Sequence, residues 1–311
     1  MSIKDNKHVD DISCQTNISP MSFFGDENKN NINQEIPFDI ESIKITENVL
    51  FTSILENKNI FKEFINVILG IKISNILEIN REQHIDSVAG YRGVRLDVYA
   101  EDKTTIYNIE IQTSDEHNIP KRTRVYSGNI DRKQLKRGEK NFNKIKRLYI
   151  IFVSTDNIFK KTELGTEINE PILIFENIAL LNRNGCMDYV KLNDESYKVI
   201  VNIACDSNKI NNKDLKSLIE LLKDGYTAET PSNLSNMMES EAKRLKADDE
   251  WRSDSMLTYE QALTKKMEEG RKEGEKKRNL EVAKSMLSDN LPIKMIIRYT
   301  GLSEEEIEKL R

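Results

Sequence analysis

The chain has 311 residues, 38% of them apolar and 32% charged, with a net charge of -5 at pH 7, which is enough sequence to bury one substantial core and carry charged appendages. The acidic balance excludes a protein that coats nucleic acid indiscriminately. Three scattered cysteines (Cys14, Cys186, Cys205) exclude a disulfide frame or zinc knuckle, and the dispersed His8, His84 and His117 argue against a histidine metal site.

No run approaches the ~20 apolar residues of a membrane span, and Met1–Asp10 lacks the apolar stretch of a signal peptide. A cytoplasmic protein with no membrane partner is expected. Residues 1–38 are rich in Asn, Ser and Asp with little periodicity beyond Phe23-Phe24, the composition of a flexible tail. From Thr46, apolar residues at helical spacing (Val49, Leu50, Ile54, Phe61, Phe64, Ile65, Ile68) predict two helices broken at Asn57-Lys58-Asn59 and stopped at Gly70. Ile73–Ile79 reads as a strand. Val94–Ala100 and Thr105–Thr113 alternate in the period of two that strands show, with the polar Glu101-Asp102-Lys103 between them as a hairpin turn. Pro120 suits the start of a basic helix running to about Gly138. The unbroken apolar run Leu148–Val153 predicts a strand covered on both faces. Pro171–Phe175, Ala179–Leu181 and Lys198–Ile203 read as further strands, with turns at Asn182–Gly185 and Asn193–Glu195. Asp214–Lys223 reads as a helix closed by Gly225. Beyond it, Ser232–Leu287 is charged and helix-prone, broken at Gly270 and Gly274, and a terminal unit follows with a capping box at Ser303 and Glu306. The element order predicts an α/β (α+β mixed) protein: a mixed central sheet with helices packed on it.

The chemistry concentrates on the polar faces of two strands. Asp97 lies between Leu96 and Val98, and Glu110 and Gln112 alternate with Ile109 and Ile111. In a hairpin the two carboxylates can converge on one point. A hard cation such as Mg²⁺ takes oxygen ligands and keeps several waters, so two carboxylates and a backbone carbonyl suffice to hold it. Gln112 can donate its amide to a phosphate oxygen and orient a water. Directly downstream, Lys121–Arg147 holds eleven Lys or Arg against two acids. Such a run is often a solvated helix face. Beside a carboxylate pair it also supplies phosphate contacts, and Lys121, Arg122 and Arg124 are the candidates for binding DNA.

The words RLDVYAEDKTTIYNIEIQT (95–113) and KRTRVYSGNIDRKQLKRGEKNFNKIKRLYIIFVST (121–155) resemble the recombination-promoting nuclease (Rpn) and transposase family of the PD-(D/E)XK nucleases, over about residues 40–205. The resemblance implies a restriction-endonuclease-like mixed central sheet flanked by helices and Mg²⁺-dependent DNA endonuclease activity. It places Asp97, Glu110 and Gln112 as the catalytic positions of the D…(D/E)xK signature. The implied metal set is Asp97, Glu110, the carbonyl of Ile111, and the first-helix position, where the family carries an acid. Here Asn48 stands in that place with Glu47 one position earlier, and an asparagine carbonyl ligates without adding charge. The basic helix reads Val125-Tyr126-Ser127-Gly128 where relatives carry a Gln. These departures leave a second expectation: a catalytically weakened DNA-binding or interaction protein that retains the nuclease fold. The tail SMLSDNLPIKMIIRYTGLSEEEIEKL (285–310) also resembles the family's C-terminal segment.

The domain organisation that follows is an Asn-rich tail over 1–38, a nuclease-like domain over 39–228, a charged helical extension over 229–288 and a small terminal helical unit over 289–311. Glu304-Glu305-Glu306 would repel phosphate at the start of the last helix, so the C-terminal helices read as a packing or an oligomerisation element, the second implying a homo-oligomer through these helices. Gly270 and Gly274 have the spacing of a membrane dimer motif, but Glu268, Arg271, Lys272 and Glu273 exclude that setting.

Overall fold

A computed structural model describes residues 39–85, 93–113, 118–183, 186–225 and 231–310; the Asn-rich segment 1–38 and the last part of the turn expected at Asn182–Gly185 lie outside them. Helices α1 (Asn48–Leu55) and α2 (Lys58–Leu69) form where the apolar spacing places them. Asn57 caps α2 through its side chain, and Gly70 ends it at φ 69°, the left-handed turn that glycine adopts without a Cβ penalty.

A six-stranded mixed sheet follows: β1 (Glu78–Ile85), β2 (Val94–Glu101), β3 (Thr105–Gln112), β4 (Arg147–Ser154), β5 (Ile172–Phe175) and β8 (Ser196–Asn202), in the spatial order β1-β2-β3-β4-β8-β5. β3 pairs with β4, and β4 with β8, in parallel, while the outer pairs are antiparallel. The β2–β3 turn forms where expected, because the Asp102 side chain accepts the N–H groups of Thr104 and Thr105 at 2.8 and 2.7 Å. The basic helix α3 (Ile119–Gln134) crosses over between β3 and β4. Its Ile119 and Ile130 join Leu148, Ile150 and Phe152 of β4 in the core on that side of the sheet. On the opposite side Phe61 of α2 meets Tyr107 of β3 edge to face. Helix α4 (Lys213–Asp224) and helix α5 (Asn233–Ala247) extend the helical layer formed by α1 and α2.

Several elements differ from the sequence reading. The first strand is Glu78–Ile85, not Ile73–Ile79, and Ile76 is instead buried in the loop before it. β1 is an edge strand with one hydrogen-bonded neighbour, and such a strand does not need the apolar alternation that marks a central one. α3 ends at Gln134 rather than near Gly138, and Pro120 is its second residue. β6 (Ile178–Arg183) pairs with a strand absent from the expectation, β7 (Cys186–Lys191), in a separate two-stranded sheet. Gly270 and Gly274 do not break the charged region: α6 (Asp249–Ser288) runs through both. A glycine costs a helix interior about 1 kcal/mol, and good helix formers on either side outweigh it. The break falls at Asp248, whose side chain caps α6 by accepting the Trp251 N–H at 2.8 Å. The Trp251 ring is buried and donates its Nε1–H to Ser53 Oγ at 2.9 Å, which ties the base of α6 to α1. At the far end α7 (Ile293–Thr300) and α8 (Glu304–Glu308) fold onto α6 around Ala283, Ile296, Leu302 and Ile307, with the expected capping box at Ser303 and Glu306. Among the described residues no helix is long and apolar enough to cross a membrane.

Candidate active site

The β2–β3 ladder runs from Glu101↔Ile106 to Val98↔Ile109 and stops there, although β3 continues to Gln112. On its other edge β2 pairs Arg81↔Val98 and then Gln83↔Leu96, passing over Glu82 and Asp97; Glu82 has the left-handed φ of 51°. The strands therefore splay where Asp97 and Glu110 stand, and their carboxylates take the places of ladder partners. Glu110 Oε1 accepts the Asp97 N–H at 3.1 Å, and Asp97 Oδ2 accepts the Ile111 N–H at 3.2 Å. Asn108 Nδ2 adds a third bond, to Glu110 Oε1 at 3.0 Å. Backbone amides that would otherwise lack partners in a buried place thus hold both acids in fixed rotamers.

Burial sets the electrostatics. Glu110 is 1% exposed and Asp97 8%. Loss of hydration, and then the charge of Asp97, push the Glu110 carboxyl up to about 8, against the bonds from Asn108 and the Asp97 N–H and the field of Arg122. Asp97 is also raised, by burial first, opposed by a side-chain hydrogen bond from Asn48, the Ile111 N–H and the charges of Arg95 and Arg122. Two desolvated like charges side by side are unfavourable without a counterion.

The structure brings Asp97, Glu110, Gln112 and Asn48 to this one place. Ile111 lies between the two β3 site residues, with its N–H on Asp97. Glu47 precedes α1 with its side chain exposed. The basic trio separates: Lys121 and Arg124 are exposed on the outer face of α3, whereas Arg122 turns inward. Its Nη1 donates to Gln112 Oε1, its Nη2 donates to Tyr126 OH at 3.0 Å, and Nη2 lies 3.6 Å from Glu110 Oε2. Sequence reasoning missed this inward turn, and it missed Tyr126 and Asn108 as members of the site. The available signal was the four-residue spacing of Arg122 and Tyr126, which puts them on one stripe of a helix. For Asn108 it was a polar residue on the same strand face as Glu110. Asn108 is fully buried, and its Oδ1 has no hydrogen-bond partner.

The donors suit a hard, oxygen-seeking cation. Asp97, Glu110 and the Asn48 side chain offer only oxygen to a metal, the donor type that hard cations take; among the described residues no group of three or more His, Cys, Asp or Glu gathers. The raised carboxyls are the sign of a fit, since a divalent cation would offset the burial that raises both and the charge that Asp97 sets beside Glu110.

A mixed sheet flanked by helices, with paired carboxylates on a splayed hairpin beside a basic crossover helix, is the PD-(D/E)XK nuclease architecture. Residues 48–197 match the family model of the PD-(D/E)XK nuclease family transposases. Neither a curated protein nor a solved structure matches the chain at a significant level.

Proposed function

We propose that the chain is a Mg²⁺-dependent DNA endonuclease that hydrolyses phosphodiester bonds at Asp97 and Glu110, in the service of DNA exchange as the family's transposases suggest. The observation that carries this reading is the pair of buried, mutually repelling carboxylates fixed by backbone amides at the splayed end of β2 and β3. Asp97 and Glu110 would hold the cation, with the carbonyls of Asn48 and Ile111 beside them and Glu47 one residue from the ligand position. Bound Mg²⁺ supplies charge for a phosphoryl oxygen and lowers the pKa of water. The chain's own residues do the placing. Gln112 presents its amide to the phosphate and the attacking water; Lys121 and Arg124, exposed on α3, meet neighbouring phosphates and fix the register of the duplex. In the reaction the water oxygen bonds to phosphorus, the bond to the leaving sugar oxygen breaks, that oxygen takes up a proton, and the proton lost by water passes to solvent.

One observation favours a second reading. Asn48 hydrogen-bonds Asp97 where an acid would add charge, so the cation rests on two carboxylates, as a DNA-binding protein weakened in catalysis would also show. Supercoiled plasmid incubated with the protein in Mg²⁺ or in EDTA separates the two. The nuclease reading expects nicked or linear product with Mg²⁺ alone, lost in Asp97→Ala with folding retained. Salt-sensitive DNA binding without product in either condition would establish the weakened protein instead.

A further inference from the structure

We propose that Arg122 takes the place of the lysine that Gln112 replaces in the D…(D/E)xK signature, as a positioning residue that orients Gln112 and sets one positive charge beside the carboxylate pair. The inference rests on the nuclease reading and deepens it. Arg122 comes from α3 and not from β3, so it lies outside any motif read along the strand. Its guanidinium is held from several directions: Nη1 on Gln112 Oε1, Nη2 on Tyr126 OH at 3.0 Å, and the charge 3.6 Å from Glu110 Oε2. The planar group also lies 5.1 Å from the centre of the Phe152 ring and 5.5 Å from that of Tyr126, and those two rings stack 6.1 Å apart. Only a guanidinium can turn an edge of several N–H donors to oxygen acceptors while its flat face rests on aromatic rings; an ammonium is a compact point charge.

An arginine serving only the outer phosphates would extend into solvent, as the exposed Lys121 and Arg124 do. The Arg122 side chain is 27% exposed and spends its donors on the site. This arrangement assigns Gln112 its sense. With Oε1 accepting from Arg122, the guanidinium fixes which end of the amide is the oxygen, so Gln112 faces a phosphate as a donor and Arg122 decides that it does. It also repairs the charge. Gln112 adds none, and the guanidinium restores one positive group at the edge of the two acids without adding a residue to the strand.

The test compares the parent with R122A, R122K, Q112K and the double variant R122A/Q112K, each checked for a parent-like melting transition. On plasmid with Mg²⁺, R122A should lower kcat by about a hundredfold, the scale of losing one preorganised electrostatic group, with KM for DNA within about threefold. R122K should recover little, because lysine cannot keep the stacked, forked contacts. Q112K placed in the R122A background should recover at least about tenfold, because it returns the missing charge on the strand; a purely structural role for Arg122 would not respond to it. A Mn²⁺ titration without DNA reads the same arrangement independently of cleavage. Removing a cation beside Glu110 should tighten Mn²⁺ several-fold in R122A, and Q112K should reverse the change. A rise in KM with unchanged kcat would make Arg122 a phosphate contact like its neighbours and overturn the proposal. Absence of rescue by Q112K, together with unaltered Mn²⁺ affinity, would overturn it as well. If the parent cleaves nothing while the Mn²⁺ affinities shift as described, the nuclease reading fails and the charge role of Arg122 stands.

Discussion

At the turn end of the β2–β3 hairpin Glu101 lies 2.6 Å from Lys146 Nζ; at the splayed end Glu110 lies 3.6 Å from Arg122. Both acids meet a cation, and their ionisation goes opposite ways. Burial works against the charge on Glu101 but is outweighed by hydrogen bonds from Lys146 and Tyr99, the latter at 2.5 Å, and the carboxyl is held below the usual range. For Glu110 burial is deeper, Asp97 adds a like charge, and the carboxyl rises to about 8. The ladder is intact at the first end and interrupted at the second. One end of a single hairpin is thus closed and electrostatically satisfied, while the other is open and holds two carboxyls that burial makes costly to ionise. The second is where a protein can hold a cation, and the first is where it only holds itself together.

Swapping each acid for its amide breaks the comparison most directly. Glu110→Gln should reduce Mg²⁺-dependent plasmid cleavage by about a thousandfold, the effect of a few kcal/mol of lost charge stabilisation. Glu101→Gln should leave cleavage within about twofold, yet cost about 1 kcal/mol in denaturant unfolding, as a partly exposed ion pair does. If the two amides lower cleavage equally, the ends do not differ in kind.

The outer face of α3 gives a smaller effect. Replacing Lys121 and Arg124 by Ala should flatten the slope of log K for duplex DNA against log salt by about two, at roughly 0.9 per phosphate contact, alike on every sequence. An unchanged slope would place the DNA path elsewhere.

The smallest effect lies farthest from the site. In α6 the space that a Cβ would take at Gly270 or Gly274 is open. Gly270→Ala should therefore raise the stability of that helix by roughly 0.5–1 kcal/mol, read as its melting by circular dichroism, with cleavage untouched. Loss of helix on this change would mean that α6 needs the glycine for a close contact.

Much of this is legible in the amino-acid sequence. Asp97, Glu110 and Gln112 stand out because they sit at alternate positions in strands whose other residues are apolar, and period two leaves only one face for them. The turn is legible through Asp102, and the helix ends through Gly70, Gly225 and the Ser303–Glu306 box. What escapes has no local signature. β1 carries Asn80, Arg81, Glu82, Gln83 and His84 in succession, since one neighbour is all it pairs with. β7 is half of an isolated hairpin whose Tyr189 and Val190 are exposed, so no core dictates its pattern. The inward turn of Arg122 is hidden among eleven cations that look alike until a helix is seated on a sheet. The splay at Asp97 is likewise a property of pairing, and the residues that cause it are those whose spacing suggests an ordinary hairpin.

The pH dependence of cation-induced stabilisation tests the central claim most directly. The folded-state value of Glu110, about 8, lies above its ordinary 4.5, so the folded form binds this proton more tightly than the unfolded. Its contribution to stability is full below the ordinary carboxylate range and is lost as pH rises towards 8. A divalent cation held by the pair would displace that proton, and so would bind the folded protein more tightly as pH rises. Melting temperatures of the parent and of Glu110→Gln, with and without Mg²⁺ at about pH 5.5 and pH 8.5, read this linkage. The account predicts that Mg²⁺ raises the parent's Tm markedly more at the higher pH, and that the amide variant loses most of the gain. A Mg²⁺ shift equal at both pH values, or equal in parent and variant, would contradict it.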